Sequence, residues 1–359
     1  MIELINLSKK YKEKYVVKNL NLNFNDGEIS VLIGPSGCGK TTTLKMINRL
    51  IEPSEGDIKI DGKSIFDFDE INLRRGIGYV IQEIGLFPHY TIFDNISLVP
   101  KMLGWDNKKI EKRVNELAEL INLPKSYLNR YPKELSGGEK QRVGVARALA
   151  GDPKILLMDE PFGAIDPINR KSLQDFFIEI QKTLKKTVIF VTHDIMEAIK
   201  LGDKICVLKD GEVVQFDNPE NILKNPKNEF VENLLGANRN ILRLSLKRGL
   251  DYIKKDYKII ENFEIEKISS FSESLFIVKE NEDFKGYILK NDFEKGRKCL
   301  RNILFINENT NLLDAIILLL NRGEKVLIIK CIERGIMGYL KLDDMLKVFE
   351  KEEYELSNK

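Results

Sequence analysis

Three almost wholly apolar segments of the chain are separated by stretches with helical spacing. The apolar segments are EISVLIG, which ends at Gly34, KILLMDE at Lys154–Glu160 and KTVIFVTHD at Lys186–Asp194. Such runs are typical of strands that are covered on both faces in a parallel sheet. Between residues 108 and 135 the pattern becomes helical, with apolar residues three or four apart at Ile110, Val114, Leu117 and Ile121. The alternation predicts an α/β sheet with a helical insert.

A smaller α/β domain, made by internal duplication, is predicted after the composition shifts near residues 238–240. Its two weakly similar halves, Ser272–Phe293 and Gly323–Leu346, each contain an apolar run, a polar turn and a Gly-Tyr strand. The helical segment Asn311–Gly323 precedes the second half, and Ser245–Asp256 is the candidate for the equivalent of the first. We expect a first domain over 1–238 with a helical subdomain at about 88–150, a second domain over 239–350, and a frayed tail over 351–359.

Composition and charge narrow the possible functions. The 359 residues are 43% hydrophobic and 31% charged, with a formal net charge of +2, so a nucleic-acid partner gains no electrostatic support. No apolar run approaches the roughly 18–20 residues that a membrane span requires, which predicts that any membrane contact is made through a partner. The cysteines are scattered without metal-ligand spacing and are expected to be reduced in the cytoplasm; they are Cys38, Cys206, Cys299 and Cys331.

GPSGCGKTT matches the phosphate-loop pattern between a predicted strand and a predicted helix. Its glycines let backbone N–H groups face a phosphate, Lys40 supplies a point charge for the β- and γ-phosphates, and the Thr41 hydroxyl suits Mg²⁺. A glycine-rich turn that merely joins strand to helix is the disfavoured alternative. The predicted ATP-binding residues of this loop are Gly34, Pro35, Ser36, Gly37, Cys38, Gly39, Lys40, Thr41 and Thr42.

Polar side chains at the ends of three strands are candidates for hydrolytic chemistry. Asp159 is predicted to hold the Mg²⁺ shell, and Glu160 to polarise a water for in-line attack on the γ-phosphate. His193 ends another strand, at the sheet edge where open α/β sheets bind ligands, although a structural hydrogen-bonding role is the alternative. Gln82 could sense Mg²⁺ and water. Tyr11, with Tyr15 as its rival, could stack on adenine, or could be an exposed hairpin tyrosine.

A second anion site is indicated by LSGGEKQRVGVARAL, where Ser136, Gly137 and Gly138 open onto a helix. Backbone N–H groups and the helix dipole favour a phosphate there, although the phosphate loop already supplies one site.

These motifs, in this order, make residues 2–237 resemble the ATP-binding subunits of ABC transporters. The resemblance implies a P-loop cassette with a mixed sheet core, ATP and Mg²⁺ as cofactors, and Gln82 and His193 as the Q-loop and switch residues. It further implies that two copies pair head to tail, so that each ATP lies between one phosphate loop and the partner's Ser136–Gly138, while the Gly163–Asp166 loop touches the other copy. Closure on ATP would drive transmembrane permease subunits from the cytoplasmic face of the inner membrane. Glu139 departs from the glutamine of many relatives.

Three segments resemble the quaternary-amine (glycine betaine, carnitine, choline) importers used in osmoprotection: Lys45–Gly56, Gly78–Ile96 and Asp159–Arg170. This implies an extracytoplasmic solute-binding protein that acts through the permease, docking of the segment around Phe87 and His89 to the permease, and a C-terminal pair of CBS modules. These modules could bind a nucleotide, respond to ionic strength or only dimerise. A surface loop with a buried aromatic is the alternative for Phe87 and His89.

Other functions remain open from the sequence. An importer of an amino acid or another osmolyte is the nearest alternative, and a soluble ABC protein or a nucleotide-dependent regulatory module is disfavoured. The C-terminus carries Glu352, Glu353 and Glu355 in place of a basic tail that could bind anionic lipid.

Overall fold

The computed structural model describes residues 1–82, 85–163, 165–236, 239–297, 300–331 and 333–357, and of residues 167–169 and 352–357 it describes the backbone alone. The chain divides into two compact units, Met1–Leu235 and Gly236–Lys359. Four features named above fall outside this description: Ala164, residue 238 at the expected boundary, Cys299, and the acidic side chains of the C-terminus.

The first unit contains two sheets. In chain order its strands are β1 Ile2–Tyr11, β2 Lys14–Phe24, β3 Ile29–Ile33, β4 Glu55–Ile60, β5 Lys63–Ser64, β6 Ile77–Val80, β7 Ile155–Asp159, β8 Thr187–Val191, β9 Lys204–Lys209 and β10 Glu212–Asp217. One sheet is antiparallel, in the order β2-β1-β4-β5. The other runs β10-β9-β3-β8-β7-β6 and is parallel except for β10. Strands β3, β7 and β8 are buried at every position, as their apolar sequences predict.

Helices surround and follow these strands. They are α1 Lys40–Ile47, α2 Glu70–Arg75, α3 Ile92–Met102, α4 Asn107–Leu120, α5 Gly137–Leu149, α6 Pro167–Leu184, α7 Ile195–Leu201, α8 Pro219–Lys224 and α9 Glu229–Leu235. The consecutive helices α3, α4 and α5 form the helical insert and pack on one another. The predicted α/β fold with a mixed sheet core and a helical subdomain is therefore confirmed.

The helical pattern between residues 108 and 135 extends beyond the actual helix. Helix α4 ends at Leu120, and short 3₁₀ turns follow at Lys125–Asn129 and Pro132–Glu134. Asn122 has a positive φ of 50°, and Pro124 lacks the N–H that a helix would need. These two residues stop the helix although apolar spacing continues.

The second unit consists of two three-stranded sheets with the same topology among the described residues. In chain order its elements are α10 Arg239–Ser245, β11 Tyr257–Glu261, β12 Leu275–Glu280, β13 Asp283–Leu289, α11 Lys290–Glu294, β14 Phe305–Ile306, α12 Leu312–Arg322, β15 Val326–Cys331, β16 Gly335–Lys341 and α13 Leu342–Ser357. In each sheet the first strand is parallel to the second, and the second is antiparallel to the third. The register shift also falls at the same place, after Val278 in one sheet and after Ile329 in the other.

Two details of this unit differ from the expectations. The segment that precedes β12 is a 3₁₀ helix at Asn262–Ser270, so Ser245–Asp256 does not supply the missing helix. Helix α13 continues to Ser357, which makes the expected frayed tail helical over residues 351–357. The segment 342–357 contains neither glycine nor proline, so nothing in its backbone chemistry ends the helix earlier.

Tyrosines join the two halves of the second unit. The buried Tyr287 of the first half donates a hydrogen bond to Glu324 of the second, with 3.2 Å between the oxygens. The buried Tyr339 of the second half donates to Asp256 of the first over 2.5 Å. Each half therefore supplies the acceptor for the other half's buried hydroxyl.

Candidate functional site

The phosphate loop connects β3 to α1 and lies against β2. Gly39 has a φ of 102°, and a Cβ atom there would come within 2.7 Å of the Val16 carbonyl oxygen. Only glycine fits this position, because both the backbone conformation and the contact exclude a side chain. The nine residues predicted to bind ATP follow one another through this turn, and three of them, Pro35, Ser36 and Gly37, are exposed.

Lys40 is buried and folds back onto its own loop. Its Nζ donates to the carbonyl oxygens of Gly34 and Pro35 at 2.7 and 2.9 Å. A phosphate oxygen would have to replace these carbonyl contacts. The lysine is thus held at the phosphate loop by two carbonyl oxygens, and a charged phosphate oxygen would be a stronger acceptor for it.

Thr41 and Asp159 place two oxygens side by side at the start of α1 and the end of β7. The Thr41 hydroxyl donates to the Asp159 carboxylate, with 2.9 Å between the oxygens. Burial raises the pKa of Asp159; the Thr41 hydrogen bond opposes this shift and the charge of Glu160 adds to it. A hydroxyl and a carboxylate oxygen are ligands that Mg²⁺ prefers.

Glu160 contacts residues that follow β6 and β8, the two strands that flank its own strand, β7. Its φ of 45° lies in the left-handed region, which is uncommon for a residue with a side chain, and its N–H donates to the Val191 carbonyl of β8 over 3.0 Å. One carboxylate oxygen, Oε2, accepts from Gln82 Nε2 at 3.1 Å and lies 3.3 Å from His193 Nδ1. The structure thus brings together Gln82, Glu160 and His193, which are far apart in the sequence.

Ser136 caps the N-terminus of α5 and is exposed together with Gly137. A Cβ atom on Gly137 would contact nothing within 4 Å, so the surface beside it is open. Among the hydrogen bonds of the described residues, none joins Ser136–Gly138 to the phosphate loop of the same chain. The two predicted anion sites are therefore not hydrogen-bonded to each other within the described part of the chain.

The two candidate adenine-stacking tyrosines differ in their surroundings. Tyr11 is 46% exposed at the end of β1, with Lys9 Nζ 5.3 Å from its ring centroid. The Tyr15 hydroxyl donates to Glu55 over 2.9 Å. Tyr15 is thus held by a partner within the antiparallel sheet, whereas the ring of Tyr11 is more accessible to a base.

A buried carboxylate behind His193 was not found from the sequence. Glu197 of α7 accepts from the Thr192 hydroxyl over 2.6 Å and from Gln174 of α6 over 3.1 Å. Thr192 Oγ1 also accepts from the Asp194 N–H over 3.0 Å. Through Glu197, these hydrogen bonds connect Thr192 and Asp194, on either side of His193, to α6. Sequence spacing could not have indicated this connection.

An aromatic cluster follows Gln82 after a short segment. Phe87 and Tyr90 are 40% and 38% exposed, with ring centroids 5.3 Å apart, and His89 packs edge-on against Tyr90. The buried Asn95 fixes this loop: its Oδ1 accepts from the Phe87 N–H, and its Nδ2 donates to the carbonyls of Phe87, Tyr90 and Thr91. Phe87 is therefore partly exposed. This contradicts the alternative interpretation, which was a surface loop with a buried aromatic side chain.

The chain combines three features: a phosphate loop with its lysine, an Asp-Glu pair at the end of a strand, and a capped Ser-Gly-Gly helix. Together they define a P-loop nucleoside triphosphatase of the cassette type. The family model described as "ABC transporter" matches residues 17–163. The carnitine transport ATP-binding protein OpuCA of Listeria monocytogenes is 45% identical over 94% of this chain and 89% of its own length. The glycine betaine/carnitine/choline transport ATP-binding protein OpuCA of Bacillus subtilis is 49% identical over 83% of this chain and 80% of its own.

Solved structures agree with this assignment. The dimeric ATP-binding cassette MJ0796, in a post-hydrolysis state bound to ADP and Pi, is 37% identical over 61% of this chain and 99% of its own, with a TM-score of 0.55. The chain belongs to the ATP-binding subunits of ABC transporters. In the part of the chain that the structure describes, every helix is too short or too polar to cross a membrane.

Proposed function

We propose that two copies of this chain pair head to tail, hydrolyse ATP between them, and energise the import of a quaternary amine through a membrane permease. The convergence of Gln82 and His193 on Glu160, at the edge of the sheet that carries the phosphate loop, supports the hydrolytic part. The substrate class rests on the relatives, which are named for carnitine, choline and glycine betaine transport.

ATP is proposed to bind with its phosphates in the turn Gly34–Thr42. Backbone N–H groups of the loop and of the first turn of α1 face the phosphates, and Lys40 exchanges its two carbonyl contacts for phosphate oxygens. Thr41 and Asp159, whose oxygens lie 2.9 Å apart, fit Mg²⁺. Gln82 contacts Glu160 through its amide nitrogen, which leaves the amide oxygen for the metal. Bound Mg²⁺ would neutralise charge on the β- and γ-phosphates.

Glu160 is proposed to accept a proton from the attacking water. Gln82 and His193 both contact Oε2, and this orients the carboxylate before the reaction. His193 Nδ1 lies 3.3 Å from the same oxygen, so a proton on Nδ1 would face the carboxylate. Gln82 and His193 are therefore proposed to orient the Glu160 carboxylate. Through these contacts, the position of the carboxylate depends on the positions of the loops that carry Gln82 and His193.

The head-to-tail pairing accounts for the second anion site. Ser136, Gly137 and Gly138 open onto α5, and among the hydrogen bonds of the described residues none joins them to their own phosphate loop. The phosphate that they bind would then come from the partner's ATP. The dimeric relative bound to ADP and Pi supports this arrangement.

Mixing two inactive variants tests this pairing. Ser136→Arg and Lys40→Ala should each abolish ATPase activity alone. In a mixed dimer, the Ser136→Arg chain still has Lys40 and the Lys40→Ala chain still has Ser136. These two residues face each other in one of the two sites, so that site is intact and activity should return. If each site is formed within one chain, no mixture restores hydrolysis. Ser136→Arg should still bind ATP, which separates this result from misfolding.

Permease docking is proposed for the aromatic cluster of Phe87, His89 and Tyr90. The cluster is exposed, and Asn95 hydrogen-bonds to its backbone. It follows Gln82 closely in the chain, so a displacement of Gln82 by bound nucleotide could also displace the cluster. Phe87→Asp should prevent co-purification with the permease and leave ATP binding intact. Unchanged co-purification would place the docking surface elsewhere. The subunit would then lie peripherally on the cytoplasmic face of the inner membrane.

The substrate is tested by transport. In vesicles that contain this subunit, its permease and the extracytoplasmic solute-binding protein, ATP should drive uptake of glycine betaine, carnitine or choline. Uptake of an amino acid or a different osmolyte, with none of these three, would favour the alternative importer.

The second unit is proposed to be a pair of CBS-type modules over residues 239–350, following a cassette domain over 1–238. The matching topologies and register shifts of its two sheets support a duplicated origin. Deleting the chain from Asn240 onward should leave ATP hydrolysis but change its dependence on salt or added nucleotide. Unchanged dependence in reconstituted vesicles would reduce this domain to a dimerising role.

A further inference from the structure

Glu139 occupies both hydrogen-bonding groups that Ser136 could offer to an anion. The Ser136 N–H donates to Glu139 Oε2 over 2.7 Å, and the Ser136 hydroxyl donates to the same oxygen over 2.8 Å. In return, Ser136 Oγ accepts from the Glu139 N–H over 3.3 Å. The two residues form a closed capping box at the start of α5.

The hydroxyl of serine has a single proton to donate. An ionised carboxylate can only accept, so the 2.8 Å contact must use that proton. Ser136 therefore cannot donate to a phosphate until its hydroxyl turns away from Glu139. The carboxylate stands where a bound anion would receive the same two hydrogen bonds.

We propose that Glu139 competes with the partner's ATP for Ser136 and so raises the ATP concentration at which the dimer closes. This inference rests on the head-to-tail site proposed above. Glu139 is a positioning residue in this scheme: it acts through Ser136, and its charge disfavours a second anion at the same helix end. A glutamine at this position would remove the charge, although its amide oxygen could still accept a hydrogen bond from Ser136.

The charge of Glu139 persists at physiological pH. Hydrogen bonds from the Ser136 N–H and hydroxyl lower the pKa of Glu139, and the nearby charges of Arg142 and Arg130 act in the same direction. For two like charges about 7 Å apart, Coulomb's law gives about threefold weaker binding in a water-like dielectric and about fiftyfold at an effective dielectric near 20. Screening reduces this effect, because the Debye length falls from about 10 Å at 0.1 M salt to about 3 Å at 1 M.

Glu139→Gln in the full chain tests the proposal, since glutamine keeps the length of the side chain and an oxygen for the Ser136 N–H. Both this variant and its control are combined with Glu160→Gln, so that the ATP-bound dimer accumulates. The control is Glu134→Gln. Glu134 closes a similar cap on Tyr131, over 2.7 Å, one short turn upstream, and among the described hydrogen bonds none joins its side chain to Ser136. Dimer formation is followed by light scattering over a range of ATP concentrations at 50 mM and 500 mM NaCl.

At the lower salt concentration, Glu139→Gln should reach half-maximal dimer at an ATP concentration at least about threefold below that of the parent. The difference should narrow at the higher salt concentration, while the control should match the parent at both. An equal shift in the control would assign the effect to net charge and overturn the proposal, as would a shift that does not change with salt. If no variant dimerises with ATP, the head-to-tail site fails and this inference fails with it. Dimerisation without any shift refutes the role of Glu139 alone.

Discussion

The amide nitrogen of Gln82 donates to the carboxylate of Glu160 across 3.1 Å, although 78 residues separate them in the chain. Gln82 follows β6 and Glu160 follows β7, which are neighbouring parallel strands. A displacement of the loop that begins at Gln82 would therefore change the direction of the carboxylate proposed as the base.

Replacing Glu160 with glutamine should remove most of the hydrolysis. The substitution preserves shape but not the capacity to accept a proton, and general-base catalysis contributes typically about 10²–10⁴-fold to a rate. We expect ATPase activity to fall at least about 100-fold while ATP binding, measured by fluorescent nucleotide titration, is retained. Hydrolysis at the rate of the unmodified protein would show that Glu160 is not the base.

The two histidines of the chain provide a matched pair. His193 lies 3.3 Å from Glu160 Oε2, whereas His89 belongs to the exposed aromatic cluster. His193→Ala should lower the turnover rate at least about tenfold, since it frees the carboxylate from one of two orienting contacts. His89→Ala should leave the turnover of the isolated subunit unchanged. Equal effects of the two substitutions would contradict the orienting role.

Two glycines of the phosphate loop should respond differently to alanine. Gly39→Ala places a Cβ atom 2.7 Å from the Val16 oxygen at a φ of 102°, which we expect to cost about 2 kcal/mol or more and to abolish ATP binding. Gly37 has a φ of 80° but no atom within 4 Å of its Cβ position, so Gly37→Ala should cost about 1–2 kcal/mol from the backbone alone. Urea unfolding and nucleotide titration measure the two effects. Similar losses at both positions would refute the steric argument.

Glu197 predicts a pH dependence of stability. Burial raises its pKa above the ordinary value of 4.5, against the opposing hydrogen bond from Thr192. The native state then holds the proton more tightly than the unfolded chain, so the contribution of Glu197 to stability is complete below pH 4.5 and is lost as the pH rises through the raised pKa.

Thermal unfolding of Glu197→Gln at several pH values measures this contribution. At pH near 5 the variant should melt a few degrees below the unmodified protein, because a lost buried hydrogen bond costs about 1–2 kcal/mol. The difference should narrow as the pH rises to about 8. The exposed Glu179 of α6 is the control, and Glu179→Gln should differ from the unmodified protein by the same small amount at every pH. A constant or widening difference for Glu197→Gln would contradict the sign of the shift.

The fold and the phosphate loop could be predicted because their signals are local. Continuous apolar runs identify β3, β7 and β8, and the loop motif places its residues by number. Element ends were less accessible: α4 stops at Leu120 because of a positive φ at Asn122 and of Pro124, while apolar spacing alone continued to residue 135.

Long-range contacts could not be read from spacing. Gln82, Glu160 and His193 were each weak candidates in isolation, and only the order of parallel strands brings them to one carboxylate oxygen. Glu197 gave no signal, because its partners Thr192 and Gln174 come from another strand end and another helix. The substitution at Glu139 was visible in the sequence, but that its carboxylate takes the proton of Ser136 depends on side-chain geometry.

The crossed tyrosines of the second unit constrain how its two halves can change. A mutation that removes the carboxylate of Asp256 or Glu324 leaves a buried hydroxyl without its acceptor in the opposite half, which costs about 1–3 kcal/mol. Removing either half of the second unit would therefore also destabilise the half that remains. The pairing is reciprocal: neither half keeps its buried tyrosine hydroxyl satisfied without a carboxylate from the other.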